Sequence, residues 1–309
     1  MSIIKENNAS VFMLINAILW GSSYIWSKML LRYLPYFTIL MVFSLGGLVL
    51  LSILFHHRIR NIDRRTIIIG MSIGGFSILS NVFCMLALKS TTSSNTAFIV
   101  QMSVIITPLI MSAVERRLPG RRVIFSAMAA LAGLLLLTCD FNNFRFNPGD
   151  LFALANALFF SFFLATMKIY SGKADPVQFT FIQHVSSTVV FLSMALVFEM
   201  RQIEYYSVNM LVLAILALST VISVSTILIQ ASAIKFIRPE KATVIYTLEP
   251  VAAAVLANLL IGERMAGIRA FTGCLLILFA IVITVYKRRD LAGVKGLKST
   301  FGTELTKAN

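Results

Sequence analysis

Charge is scarce in this sequence. Only 13% of its 309 residues are Asp, Glu, Lys or Arg, while 58% are hydrophobic. Soluble domains carry about 25% charged residues, and most of a soluble protein's surface stays wet. So little charge excludes a water-soluble globule of this length and leaves lipid as the solvent. Cysteine is equally sparse. Cys84, Cys139 and Cys274 are odd in number and lie in or beside apolar runs, so they form no disulfide framework. None has the spacing of a zinc site, and no metal or other cofactor is implied. A phosphate-binding glycine loop is missing too, which argues against ATP-driven work by this chain alone.

What the sequence has is long apolar runs. A membrane-crossing helix needs about 20 such residues. Ten runs meet that need, at 9–31, 35–55, 66–88, 91–114, 122–139, 150–171, 176–198, 207–233, 239–261 and 268–286. They exceed sheet strands in length and lack strict alternation, so helices are expected rather than a membrane β-barrel. The polar start, "MSIIKENNAS", leads into a run too long for a cleaved signal's core, which is read as a first span that stays. The last stretch, after residue 286, is polar and basic and suits the lipid surface.

The net charge of +14 might suggest nucleic acid, but its distribution says otherwise. Arg58, Arg60, Arg64 and Arg65 fall in one short loop, Arg116, Arg117, Arg121 and Arg122 in another, and Lys235, Arg238 and Lys241 in a third. With the N-terminus cytoplasmic, most Lys and Arg are on the inner side, including the C-terminal tail. No nucleic-acid partner is expected. Both termini are expected in the cytoplasm of a multi-pass protein of the plasma membrane, in a bacterium the inner membrane.

The halves resemble each other. "NAILWGSSYIWSK" (Asn16–Lys28) lines up with "NALFFSFFLATMK" (Asn156–Lys168), "TAFIV" (Thr96–Val100) with "TVIYT" (Thr243–Thr247), and Gly120 and Arg122 with Gly267 and Arg269. Five crossings reverse a chain, so two similar five-helix halves sit upside down to each other. The expected fold is therefore all-α and integral to the membrane, with ten transmembrane helices as two inverted five-helix repeats. The repeats take residues 1–140 and 141–288, with a basic cytoplasmic tail at 289–309. Inverted repeats are the architecture of secondary transporters, with the substrate site at the repeat interface near the bilayer midplane.

This pattern resembles the drug/metabolite transporter superfamily, and within it the EamA-type ten-helix carriers. The resemblance rests on "WGSSYIWSK" in the first helix, "NTAFIVQMSVIITPL" in the fourth, "ATVIYTLEPVAAAVLANLLIGER" in the ninth and "GCLLILFAIVI" in the tenth. It spans about residues 10–288. One departure stands out: the fourth run has Ser103 where Pro250 would repeat, and its own proline, Pro108, comes five residues later. The resemblance implies a cavity between the halves, a small-molecule substrate and no catalytic chemistry.

Glu249, followed at once by Pro250, is the costliest feature of the ninth run. A charge near the bilayer centre costs about 2.5–3.5 kcal/mol on insertion scales and faces the bundle or a water-filled cavity. Pro250 has no N–H, and its ring excludes the usual bond to the Tyr246 carbonyl. Two readings stand. Glu249 lines the transport path, binding a substrate amine or a coupling proton, or it is a structural carboxyl bonding backbone that Pro250 frees.

Nine residues are candidates for the substrate site: Trp20, Tyr24, Asn81, Gln101, Asn156, Phe160, Gln230, Tyr246 and Glu249. The aromatics can hold a cationic or aromatic substrate, and the amides are long enough to reach a ligand. Against this stands helix packing, with the serines of the first helix permitting close approach and each amide bonding across helices. Gly70 and Gly74 are read as a packing contact. Gln183 with His184 is read as a bonded structural pair. Lys28, Lys168, Glu263 and Arg264 are read as helix-end anchors or gate pairs. The expected function is secondary transport of small organic metabolites, amino-acid or related metabolite efflux by alternating access. Uptake of a cationic or nucleoside-like nutrient is the alternative, with protons the candidate coupling ion. An intramembrane enzyme would need a nucleophile–base pair at depth, which the scattered serines and His184 do not supply.

Overall fold

A computed structural model of the chain describes residues 4–90, 93–138, 148–173, 175–200, 208–261 and 267–285. Cys139, Glu263, Arg264 and the basic tail fall outside these. The first half holds α1 (Ala9–Leu30), α2 (Tyr36–Ile59), α3 (Arg64–Ser90), α4 (Ser93–Val100), α5 (Ser103–Glu115) and α6 (Arg121–Thr138). The second holds α7 (Pro148–Tyr170), α8 (Pro176–Phe198), α9 (Met210–Ala233), α10 (Pro239–Tyr246), α11 (Leu248–Ile261) and α12 (Gly267–Val285). Among the described residues there is no strand, and eight spans are long and apolar enough to cross a membrane. The chain is an all-α membrane protein.

The fourth and ninth runs are each divided. In the ninth, α10 ends at Tyr246 and α11 begins at Leu248. Pro250 lies in the first turn of α11, where a backbone N–H has no intrahelical acceptor to lose, so it opens the new helix rather than kinking an old one. The fourth run breaks at Gln101–Met102, between α4 and α5, although the nearest proline, Pro108, lies inside α5. The two breaks fall within two residues of equivalent places in the halves.

Large apolar side chains such as Ile53, Leu109, Met128, Val197, Phe271 and Val282 point outward and are more than half exposed. Facing hydrocarbon, they need no cover. Inside, α3 lies along α7 and α1 along α9, α2 pairs with α8 and α6 with α12, while α5 packs on α7 and α11 on α1. Numbering the helices in order within each half, exchange of the halves turns each of these pairings into itself or into another of them. Small residues set the closest crossings, as lipid offers no hydrophobic drive between helices. A Cβ on Gly133 would stand 2.7 Å from the Gly273 carbonyl oxygen, and one on Gly273 only 2.6 Å from that of Gly133, so α6 and α12 meet backbone to backbone. Gly70 makes room for the Ile182 side chain of α8, whose Cβ an added Cβ would meet at 2.7 Å, while Gly74 leaves Ser186 at ordinary contact distance.

One carboxylate caps a helix it does not belong to. Glu199, just after α8 and fully buried, accepts from the Phe37 N–H at 2.9 Å, the Thr38 N–H at 2.7 Å and the Thr38 hydroxyl at 2.9 Å. These amides are among the first of α2, which have no acceptor within their own helix. Glu199→Ala is expected to leave them bare, at about 1–3 kcal/mol, and to lower the Tm in detergent. Glu199→Gln should recover part of the loss, because its amide oxygen still accepts.

Candidate functional site

A cavity of about 150 Å³ lies between the two halves. Its wall is built from Trp20, Ser23 and Tyr24 in the second half of α1, Leu40 and Phe43 near the start of α2, and Ser77, Asn81 and Met85 in the second half of α3. Asn156 and Phe160 of α7, Gln183 and His184 of α8, and Ser219 and Thr226 of α9 complete it. These positions include the middle turns of α7, α8 and α9. Toward the start of α1 and the end of α7 the helices close on a core of Met13, Ile73, Leu164, Met167, Ile234 and Tyr246.

Glu249 stands at its floor, where both helix breaks meet. Its carboxyl is buried, and its Oε2 accepts from Gln101 Nε2 at 3.3 Å, with the Tyr24 hydroxyl at the long limit of 3.5 Å. The same Gln101 Nε2 donates to the Tyr246 carbonyl at 3.3 Å. That carbonyl is the one Pro250 cannot engage. One amide thus ties the break in the first half to the break in the second.

The candidates sort clearly. Trp20, Tyr24, Asn81, Gln101, Asn156, Phe160 and Glu249 all line the cavity. Tyr246 and Gln230 do not. Tyr246 lies beneath the floor, its ring beside Phe160 at 5.8 Å and its hydroxyl accepting from Asn16 Nδ2 at 2.9 Å. Gln230 is fully buried, with neither end of its amide bonded among the described residues. Several polar side chains are occupied locally. Asn81 donates to the Ser77 carbonyl at 2.9 Å, Asn156 ties α7 to Ser80 of α3, Gln183 donates to the Ser77 hydroxyl at 2.8 Å, and His184 Nδ1 meets the Thr180 carbonyl at 2.8 Å. Ser22 and Ser23 bond back to carbonyls of α1.

The residue that lets α1 reach the site is Gly21, which the sequence reading passed over. A Cβ there would stand 2.5 Å from the Glu249 carbonyl oxygen and 2.8 Å from the Ala252 Cβ. Its signal in the sequence is the glycine of "WGSS", the one position of that stretch without a side chain.

Charged groups join the halves where α5 ends and α10 begins. Arg238, capping α10, pairs with Glu115 of α5 at 3.0 Å and with the buried Glu240, joining the two halves. The Glu240 hydrogen bond raises the Arg238 guanidinium above its ordinary value, so it stays charged at any physiological pH. Lys168, at the end of α7, is half-buried. It donates to the Ile234 and Lys235 carbonyls at 2.9 and 2.8 Å, capping the end of α9. No cluster among the described residues could hold a metal ion.

A model of the EamA-like transporter family matches the chain twice, over residues 7–139 and 147–286. The chain belongs to that family. The two matches to the EamA-like family model take in α1–α6 and α7–α12. An uncharacterized transporter of Archaeoglobus fulgidus is 25% identical over 280 residues, covering 91% of this chain and 86% of the relative. A protein crystal structure with 16% identity superposes with a TM-score of 0.74, over 91% of this chain and 97% of the other, a likeness of fold alone. This chain is a membrane transporter of the EamA-like family, which makes an enzyme the poorer reading of the buried serines and His184.

Proposed function

We propose that the chain is a secondary transporter of small organic metabolites that works by alternating access. Its moving parts are two inverted five-helix repeats, residues 1–140 and 141–288, followed by a cytoplasmic tail at 289–309. The observation that carries this reading is the cavity at the seam of the halves, with Glu249 at its floor. The interchangeable helix pairings support the repeat, and an odd number of crossings per half supports its inversion. With both termini in the cytoplasm of a bacterium and the chain in its inner membrane, the Arg238 cluster lies at the inner end.

The wall favours a substrate that carries an amine. Glu249 is the one Asp, Glu, Lys or Arg lining the cavity among the described residues. Amides, hydroxyls and aromatic rings make up its polar remainder. Amino-acid or related metabolite efflux is the leading activity, and Glu249, able to exchange a proton, is the candidate site for proton coupling. The absence of Lys and Arg from the wall among the described residues favours a second reading, uptake of a cationic or nucleoside-like nutrient. Counterflow into proteoliposomes tests both: labelled amino acids, amines and nucleosides are expected to exchange, with amines and amino acids ahead of anions. No flux of any compound, with hydrolysis in its place, would overturn the carrier reading.

A further inference from the structure

We propose that Glu249 and Gln101 together form a pair of hydrogen-bond acceptors for a substrate ammonium that bears N–H groups, and that quaternary ammonium compounds are therefore poor ligands. The proposal rests on the amine-binding reading above and sharpens it.

The orientation of the Gln101 amide is settled by its neighbours. Nε2 faces two acceptors, the Tyr246 carbonyl and Glu249 Oε2, both at 3.3 Å. Turning the amide over would set its oxygen against a carbonyl and a carboxylate. The carbonyl end, Oε1, is consequently the end left over, and it is buried with no partner among the described residues. Buried polar atoms are nearly always bonded, and one left bare is costly. The Glu249 carboxyl is engaged on one side only. Oε2 takes Gln101 and Tyr24, and Oε1 takes no bond among the described residues. Both side chains line the cavity.

Two acceptors side by side, one charged and one neutral, want a cation with at least two N–H bonds. A primary or secondary ammonium supplies them. A quaternary ammonium supplies charge alone, satisfies Glu249 only through space and leaves Gln101 Oε1 bare. A carboxylate ligand would meet repulsion at this floor, so the amine end of a zwitterion enters first and the rest lies against Trp20 and Phe160.

The test is binding to the full-length protein in an uncharged detergent stripped of aminophospholipids, whose ammonium headgroups carry the same chemistry. Benzylamine, benzyltrimethylammonium and benzoate are titrated at pH 7, with thermal unfolding as the readout. Benzylamine is expected to bind at least about tenfold more tightly than its trimethyl analogue, with no stabilisation by benzoate. Gln101→Met, which removes the acceptor and keeps the volume, should shrink that preference below about threefold, whereas Glu249→Gln should weaken both cations. Equal binding of the two cations by the wild type, preference for the quaternary one, or no binding of either overturns the proposal without recourse to any variant. Adding a lipid ammonium back separates the sources: phosphatidylethanolamine that competes with benzylamine identifies a headgroup as an occupant of the same pair. Flux reports separately, because a protein that discriminates the two amines but carries nothing retains the acceptor pair and loses the transporter reading.

Discussion

Glu249→Gln is expected to lower amine counterflow at subsaturating substrate by about 100-fold while the protein still folds. Loss of a charge-assisted hydrogen bond costs about 1.5–3 kcal/mol, and each 1.4 kcal/mol is a factor of ten. The local geometry adds to this. Gln101 Nε2 and the Tyr24 hydroxyl both point at the Oε2 position, so an amide placed there turns its oxygen toward them. Its NH₂ then occupies the Oε1 position and meets the substrate's ammonium as a donor against a donor. Removing the acid thus removes an attraction and introduces a repulsion. The rate should also lose whatever pH dependence the carboxyl confers. A variant with wild-type flux and an unchanged pH profile would place Glu249 outside the path, as a carboxyl that serves only the broken helix.

Gly21→Val should be nearly as damaging from further away. Any Cβ at Gly21 falls 2.5 Å from a backbone oxygen, that of Glu249, and 2.8 Å from the Ala252 Cβ. Neither is the far end of a flexible side chain, so α1 and α11 must move apart. Overpacking of this kind costs about 1–3 kcal/mol, and the displacement moves the carboxyl that defines the floor. At least tenfold lower flux and a lower Tm in detergent are expected for Gly21→Val, with Gly21→Ala between it and the wild type. Gly75→Ala is the control. It lies in α3 with nothing within 4 Å of the added methyl group, and alanine is the better helix former by about 1 kcal/mol. Equal effects at the two glycines would show that the crossing of α1 over α11 does not position the site.

Much of the site was legible before any packing was known. Glu249 stands out because hydrocarbon rejects a lone carboxyl, and the aromatics and amides of α1, α3 and α7 stand out as groups able to hold or reach a ligand from within apolar runs. Gln230 and Tyr246 stand out on the same grounds and still lie off the cavity, because a polar group in an apolar run marks an interior position without saying whether that position is open or packed. The Glu199 cap was invisible for a related reason. Its partners, Phe37 and Thr38, are more than 160 positions away, and no local pattern marks a carboxylate that serves another helix.

The sequence by itself determined the solvent, the helical class and the succession of apolar runs, since each follows from the free energy of moving a single segment from water into oil. It also determined that an acid and a proline would interrupt the ninth run. Only the tertiary structure decided that the fourth run breaks at Gln101 without a proline, that Arg238, Glu115 and Glu240 join the two halves, and that Gly21 brings α1 against Glu249. These depend on contacts between residues far apart in the chain, such as Gln101 with Tyr246 and Glu249, and the energy of such a contact exists only once the helices that carry it have packed.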